Sequence, residues 1–325
     1  EHTSRGLGDV YKRQLITKFL HLLKMIIQFS ISLVLILFNI LFPETLKSEN
    51  LSQKCNVVKN IQKLKITTIP DSMGEIFKNI FAKQVDVFGL KIYATKGISD
   101  SDTLHAAYVQ AEYLDNDEDG LVDDPLLVEK LLEKKAHIVI FKTEAHANRK
   151  IDKLDDLSEE LNFNITELYG NETFPKGSSK RGFDSSLEEI LHSITHYGYS
   201  EVYPEALAIN QDSILTNAMD IARGGRFKNV PRRYPKEAWY TYNDRTCDYE
   251  CQAVEYFYWG LTSYLGAQNY PGRFLEIKDE WTLNTPEKFQ EKDKELLRIL
   301  TNREYLLPSK IPNGKYLPSL CISKK

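Results

Sequence analysis

The sequence predicts an α+β fold that is mainly helical, with a small sheet. Two segments, "QVDVFGLKIYAT" (84–95) and "AHIVIFKT" (136–143), are rich in β-branched and aromatic residues with strand alternation. Between and after them, apolar residues recur every three or four positions, punctuated by helix start and stop residues. The chain of 325 residues is long enough for one large core. No repeat, low-complexity tract or linker divides its later part. Its 42 basic and 46 acidic residues leave a net charge of -4, which argues against nucleic acid as a partner.

The first stretch, "EHTSRGLGDVYKRQ", shares no pattern with the rest of the chain, and residues 1–14 read as a non-native leader. Met25 to Phe42, "MIIQFSISLVLILFNILF", is a short apolar run behind Lys18 and Lys24. Residues 15–48 therefore read as a signal peptide or, second in preference, an uncleaved N-terminal membrane anchor. Either reading makes residues 49–325 a single exported domain, secreted or extracytoplasmic, at the cell surface or in a periplasm. All four cysteines come after the apolar run. An even number in an exported chain predicts two disulfides. Of the three pairings, Cys247–Cys251 with Cys55–Cys321 is preferred, the second tying together the ends of the domain.

Residues 84–95 open the domain as a strand. Leu104, Ala107, Tyr108, Ala111 and Leu114 then recur at helical spacing. Asp124-Pro125, an N-cap followed by proline, starts a second helix, and residues 136–143 return as a strand. Helices are expected over Leu187–Tyr197, Asp248–Leu265 and Pro286–Leu300, with a turn-rich tail after them.

Between the first two helices lies "DNDEDGLVDD". Asp115, Asp117 and Asp119 occupy positions 1, 3 and 5 of an EF-hand-like loop. Gly120 makes the sharp turn, Leu121 offers its carbonyl at position 7, and Asp123 stands at position 9. Short carboxylates at alternate positions converge on one point, and Ca2+ is the expected ligand, in a structural role. Leu126 replaces the usual glutamate at position 12. This calcium-loop part of the domain spans about 84–145.

"FDSSLEEILHSITHYG" carries helix punctuation at both ends, a Ser185/Glu188 capping box and Gly198 as a stop. Leu187, Ile190, Leu191 and Ile194 share one face; Glu189, His192, Ser193 and His196 share the other. Of seven histidines, two are thus stacked one turn apart, on a face without Lys or Arg. Histidines at i and i+4 form one side of a zinc site. The other reading is the wet side of an amphipathic helix. Glu189 and His192 also match half of a carboxylate-bridged di-iron site, but no second E-x-x-H is present.

Zinc needs a third protein ligand, and "TCDYECQAVEYFYWGLTSYLGA" supplies a candidate in Glu255. Here the sequence resembles the gluzincin metallopeptidases of the zincin type. In that family a histidine-pair helix precedes a helix whose glutamate, in a context like "EYFYW", completes the zinc site. The resemblance covers these two segments only, and Ser193 stands where the family has its general base. It implies a metallopeptidase-like domain with Zn2+ held by His192, His196 and Glu255, within about 183–267. Its reaction would be hydrolysis of a peptide or other acyl bond, with a peptide or protein as substrate. Glu189, one turn earlier on the histidine stripe, is then the expected catalytic base. Arg223, Tyr240, Tyr242 or Tyr249 could stabilise an oxyanion. The alternative is a non-catalytic secreted calcium-binding module or degenerate peptidase fold.

Overall fold

Around the strand Ala136–Phe141 (β4), buried at every position, the chain builds a five-stranded mixed sheet. The computed structural model describes residues 63–210 and 212–318. The expectations for the leader, for the signal or anchor, and for Cys55 and Cys321 lie outside these residues. The sheet runs in the order β1 (Ile66–Thr67), β2 (Phe81–Val87), β3 (Leu90–Thr95), β4, β5 (Asn164–Tyr169). The first two pairings are antiparallel and the last two parallel. Parallel neighbours need long crossovers, and helices supply them.

Residues 84–95, expected as one strand, are instead split between the two arms of a hairpin. Phe88 (φ 52) and Gly89 (φ 93) are both left-handed, the two-residue loop whose twist suits a hairpin. Asp86 accepts the Gly89 N–H at 2.9 Å. Phe-Gly lacks the Asn or Asp that usually marks this turn, so the apolar alternation reads straight through it.

Tyr93, Val139 and Phe141 face helix α1 (Gly74–Ile80) and helical residues Leu154 and Leu157 across one side of the sheet. Ile92, Ala94, Ile138 and Ile140 enter the larger core on the other side. Burial on both faces explains why β4 shows no polar alternation. The larger core is made with α2 (Asp100–Leu114), α3 (Pro125–Glu133), α4 (Ser186–Ile194), α5 (Ile214–Arg223) and α6 (Tyr249–Tyr264). Asp124 caps α3 as expected, accepting from the Leu126 and Leu127 N–H groups. The helix expected over Pro286–Leu300 is broken into α7 (Pro286–Lys292) and α8 (Lys294–Leu300). Its breaker is Asp293, whose buried carboxylate caps Leu296 and accepts from Trp239 Nε1 and Tyr256 Oη. Among the described residues no helix is long and apolar enough to cross a membrane.

The histidine segment departs from its expected punctuation at both ends. Ser185 makes no side-chain cap; Asp184 accepts from the Ser186 N–H and hydroxyl instead. Gly198 does not stop the helix. Residues Thr195–Tyr199 form a π-helical turn that runs on into Ser200–Val202. A Cβ at Gly198 would sit 2.5 Å from Leu127 Cδ1, so glycine here lets the turn press against α3.

Candidate metal centre

Helix α4 packs between the sheet and α6, which brings Glu188, Glu189 and His192 opposite Glu255. Ligand atoms of Glu188, His192 and Glu255 all lie within 4.8 Å of one another. The His192 ring stands between two carboxylates. Its Nε2 is 3.5 Å from Glu255 Oε2, and its Nδ1 is 3.6 Å from Glu189 Oε2. Nε2 is buried without a hydrogen-bond partner. Burial alone would depress the His192 pKa, but Glu255 and Glu189 offset this and hold it well above the usual value. Burial, then repulsion from Glu255, pushes Glu188 up to about 8. Glu188 therefore keeps its proton more readily than an ordinary carboxylate unless a cation takes its place.

A supporting network fixes the group. The His192 ring meets Tyr258 edge-on at 5.4 Å. Gln268 donates to Tyr258 Oη at 3.1 Å, and Arg273 Nε donates to Gln268 at 2.7 Å. The Arg273 guanidinium lies over the Phe183 and Trp259 rings. Tyr242 donates to Glu255 Oε1 at 3.1 Å. Of the four candidate oxyanion donors, Tyr242 is thus the one hydrogen-bonded to this group. Arg223 is buried against Asp220 and Gln252, Tyr240 donates to the Gln252 carbonyl, and Tyr249 donates to Asp220. Their bonds are those of a structural core.

His192, His196 and Glu255 line one cleft of 230 Å³, together with Thr166 and Cys251. His196 is not among the three converging ligands. The helix becomes π-helical over Thr195–Tyr199, a span that includes His196 and not His192. Burial lowers the His196 pKa. Ser193 is buried at 4% exposure. The Cys247–Cys251 disulfide forms as expected, with Cα atoms 5.3 Å apart, at the start of α6. Glu188 was not foreseen as a ligand because Ser185-x-x-Glu188 reads as a capping box. The available signal was its i,i+4 spacing to His192.

In the acidic loop, ligand atoms of Asp115, Asp117 and Asp123 lie within 4.8 Å of one another. Gly120 has φ 86 and makes the expected sharp turn. Asp119 is outside the group, and its Oδ1 accepts the Leu121 N–H at 2.9 Å. Asp115 accepts from the Asp119 and Gly120 N–H groups and from Tyr316 Oη. Burial pushes its carboxyl up to about 6, and burial also raises Asp123. The C-terminal segment straps the loop down: Glu112 accepts the N–H groups of Asn313, Gly314 and Lys315.

No protein family, no curated protein and no solved structure matches the chain.

Proposed function

We propose that the cleft between α4 and α6 is the zinc centre of an exported, metallopeptidase-like hydrolase, and that the EF-hand-like acidic loop holds a structural calcium. One observation carries the first part. The buried Nε2 of His192 has no hydrogen-bond partner and stands 3.5 Å from Glu255 Oε2, in a group where ligand atoms of Glu188, His192 and Glu255 lie within 4.8 Å of one another. An imidazole nitrogen with carboxylate oxygens suits zinc. Bound zinc would polarise an acyl carbonyl and make water nucleophilic at neutral pH.

The protein side chains divide the remaining work. Glu188, His192 and Glu255 hold the ion. Glu189, whose carboxylate lies 3.6 Å from Nδ1, would orient the ring so that Nε2 faces the ion. We assign it this orienting role in place of the base role expected from its position. Tyr242 holds Glu255, and His196, in the same cleft, is the imidazole left to accept a proton. A peptide substrate is favoured because, among the described residues, β5 pairs with β4 on one side only and its Thr166 lines the cleft. An open strand edge can pair with an extended chain. In the second site, Asp115, Asp117 and Asp123 hold calcium, an ion that takes oxygen ligands.

A second reading, a non-catalytic calcium-binding module, draws on the buried Ser193 and on the place of His196 outside the three converging groups. The two separate on a peptide library with zinc-loaded protein. Hydrolysis that disappears in His192→Ala supports the hydrolase; zinc-loaded protein that cleaves nothing favours the module.

A further inference from the structure

We infer that the groove beside Tyr242 receives acidic residues of a peptide, which makes acidic peptides the substrate class. The inference rests on the reading of the neighbouring cleft as a hydrolytic centre. Between residues 226 and 245 there are six Lys or Arg against two Asp or Glu, a local charge of +4 in a chain whose net charge is -4. This segment and residues 278–282 border a groove of 580 Å³. Four cations line it: Arg232, Lys236, Arg245 and Lys278. All four are exposed, and none has a side-chain ion pair or hydrogen bond among the described residues. Asp279 and Glu280 also line the groove, so it keeps an excess of two positive charges, four less two.

Tyr234, Trp239 and Tyr242 give the groove partly buried aromatic walls. Tyr242 joins it to the cleft, because its hydroxyl donates to Glu255. A chain bound across Glu255 would place residues on one side of the reacting bond among these cations. Separate cations with two acids between them suit spaced carboxylates. A continuous phosphate backbone would meet both acids and the negative charge of the whole chain.

Fluorescence anisotropy on the full chain tests this with a labelled Glu-Gly repeat peptide, its Lys-Gly counterpart and a single-stranded oligonucleotide. The Glu-Gly peptide should bind at least about tenfold more tightly than the Lys-Gly peptide, and added salt should weaken it. The triple variant Arg232→Glu, Arg245→Glu, Lys278→Glu should weaken it about tenfold or more, with an unchanged melting temperature. No binding, equal affinity for the two peptides, tighter oligonucleotide binding, or an unaffected triple variant would overturn the proposal. Binding is read without turnover, so the two readings fail separately. An acidic peptide that binds and is never cleaved removes the hydrolase reading and leaves the groove. Cleavage without acidic preference removes the groove and leaves the hydrolase.

Discussion

His192 has a carboxylate at each ring nitrogen, Glu255 toward Nε2 and Glu189 toward Nδ1. The two contacts predict different losses. Glu255→Gln keeps the side-chain shape but removes a ligand charge, and zinc should be lost on dialysis. Glu189→Gln should retain zinc with affinity lowered about 10–100-fold, the usual effect of removing a partner that orients a ligand. Zinc titration with a competing chelator reads both. Unchanged zinc affinity with abolished hydrolysis in Glu189→Gln would make Glu189 the base and overturn its orienting role. His192 and Glu255 were legible in the sequence, one from its helical spacing and the other from its aromatic context. Glu188 was hidden, because a glutamate three residues after a serine has an ordinary helix-capping explanation. Tertiary packing places it beside His192 and Glu255.

The two candidate metal-binding elements should respond differently to substitution. In the acidic loop Asp115 also holds the Asp119 and Gly120 N–H groups and Tyr316, so its replacement would destabilise the fold with or without calcium. The cleaner test is the Asp117→Ala, Asp123→Ala double variant. Calcium at a hundredfold excess over its dissociation constant should stabilise the wild type by about 2.7 kcal/mol. That corresponds to a melting rise of several degrees, and the double variant should show none. An equal rise in both proteins would place calcium elsewhere. In the histidine element, Gly198→Ala should cost about 1–3 kcal/mol through overpacking against Leu127. Urea denaturation reads the loss; an unchanged midpoint would mean that the π-helical turn yields without strain. The π-helical turn itself was not legible. Apolar periodicity registers a helix but not a local change in its winding, and Gly198 reads equally well as a stop or as a close approach.

Over the whole molecule, the strongly periodic segments showed the α+β class and helices α2, α3, α4 and α6 of the larger core. Strand β5 escaped because it is half-buried without alternation. The break at Asp293 depends on Trp239 and Tyr256, residues distant in sequence. The ionic character of the molecule has a pH consequence. The folded chain holds protons on Glu188 and Asp115 more tightly than an ordinary carboxylate does. Their contribution to the metal-free fold is full below the ordinary carboxylate pKa. It is lost as pH rises through about 6 at Asp115 and about 8 at Glu188. Bound cations displace those protons. The melting temperature of chelator-treated protein should therefore fall as pH rises across this window, and the gap to metal-loaded protein should widen. A gap that is constant with pH would contradict the assignment of Glu188 and Asp115 to metal sites. The most direct measurement of the central claim is elemental analysis of the purified chain, paired with anomalous diffraction at the zinc edge. The account predicts one zinc per chain, with its anomalous peak among Glu188, His192 and Glu255, and no zinc in His192→Ala. A chain that carries calcium without zinc, or a zinc peak away from these three residues, would contradict it.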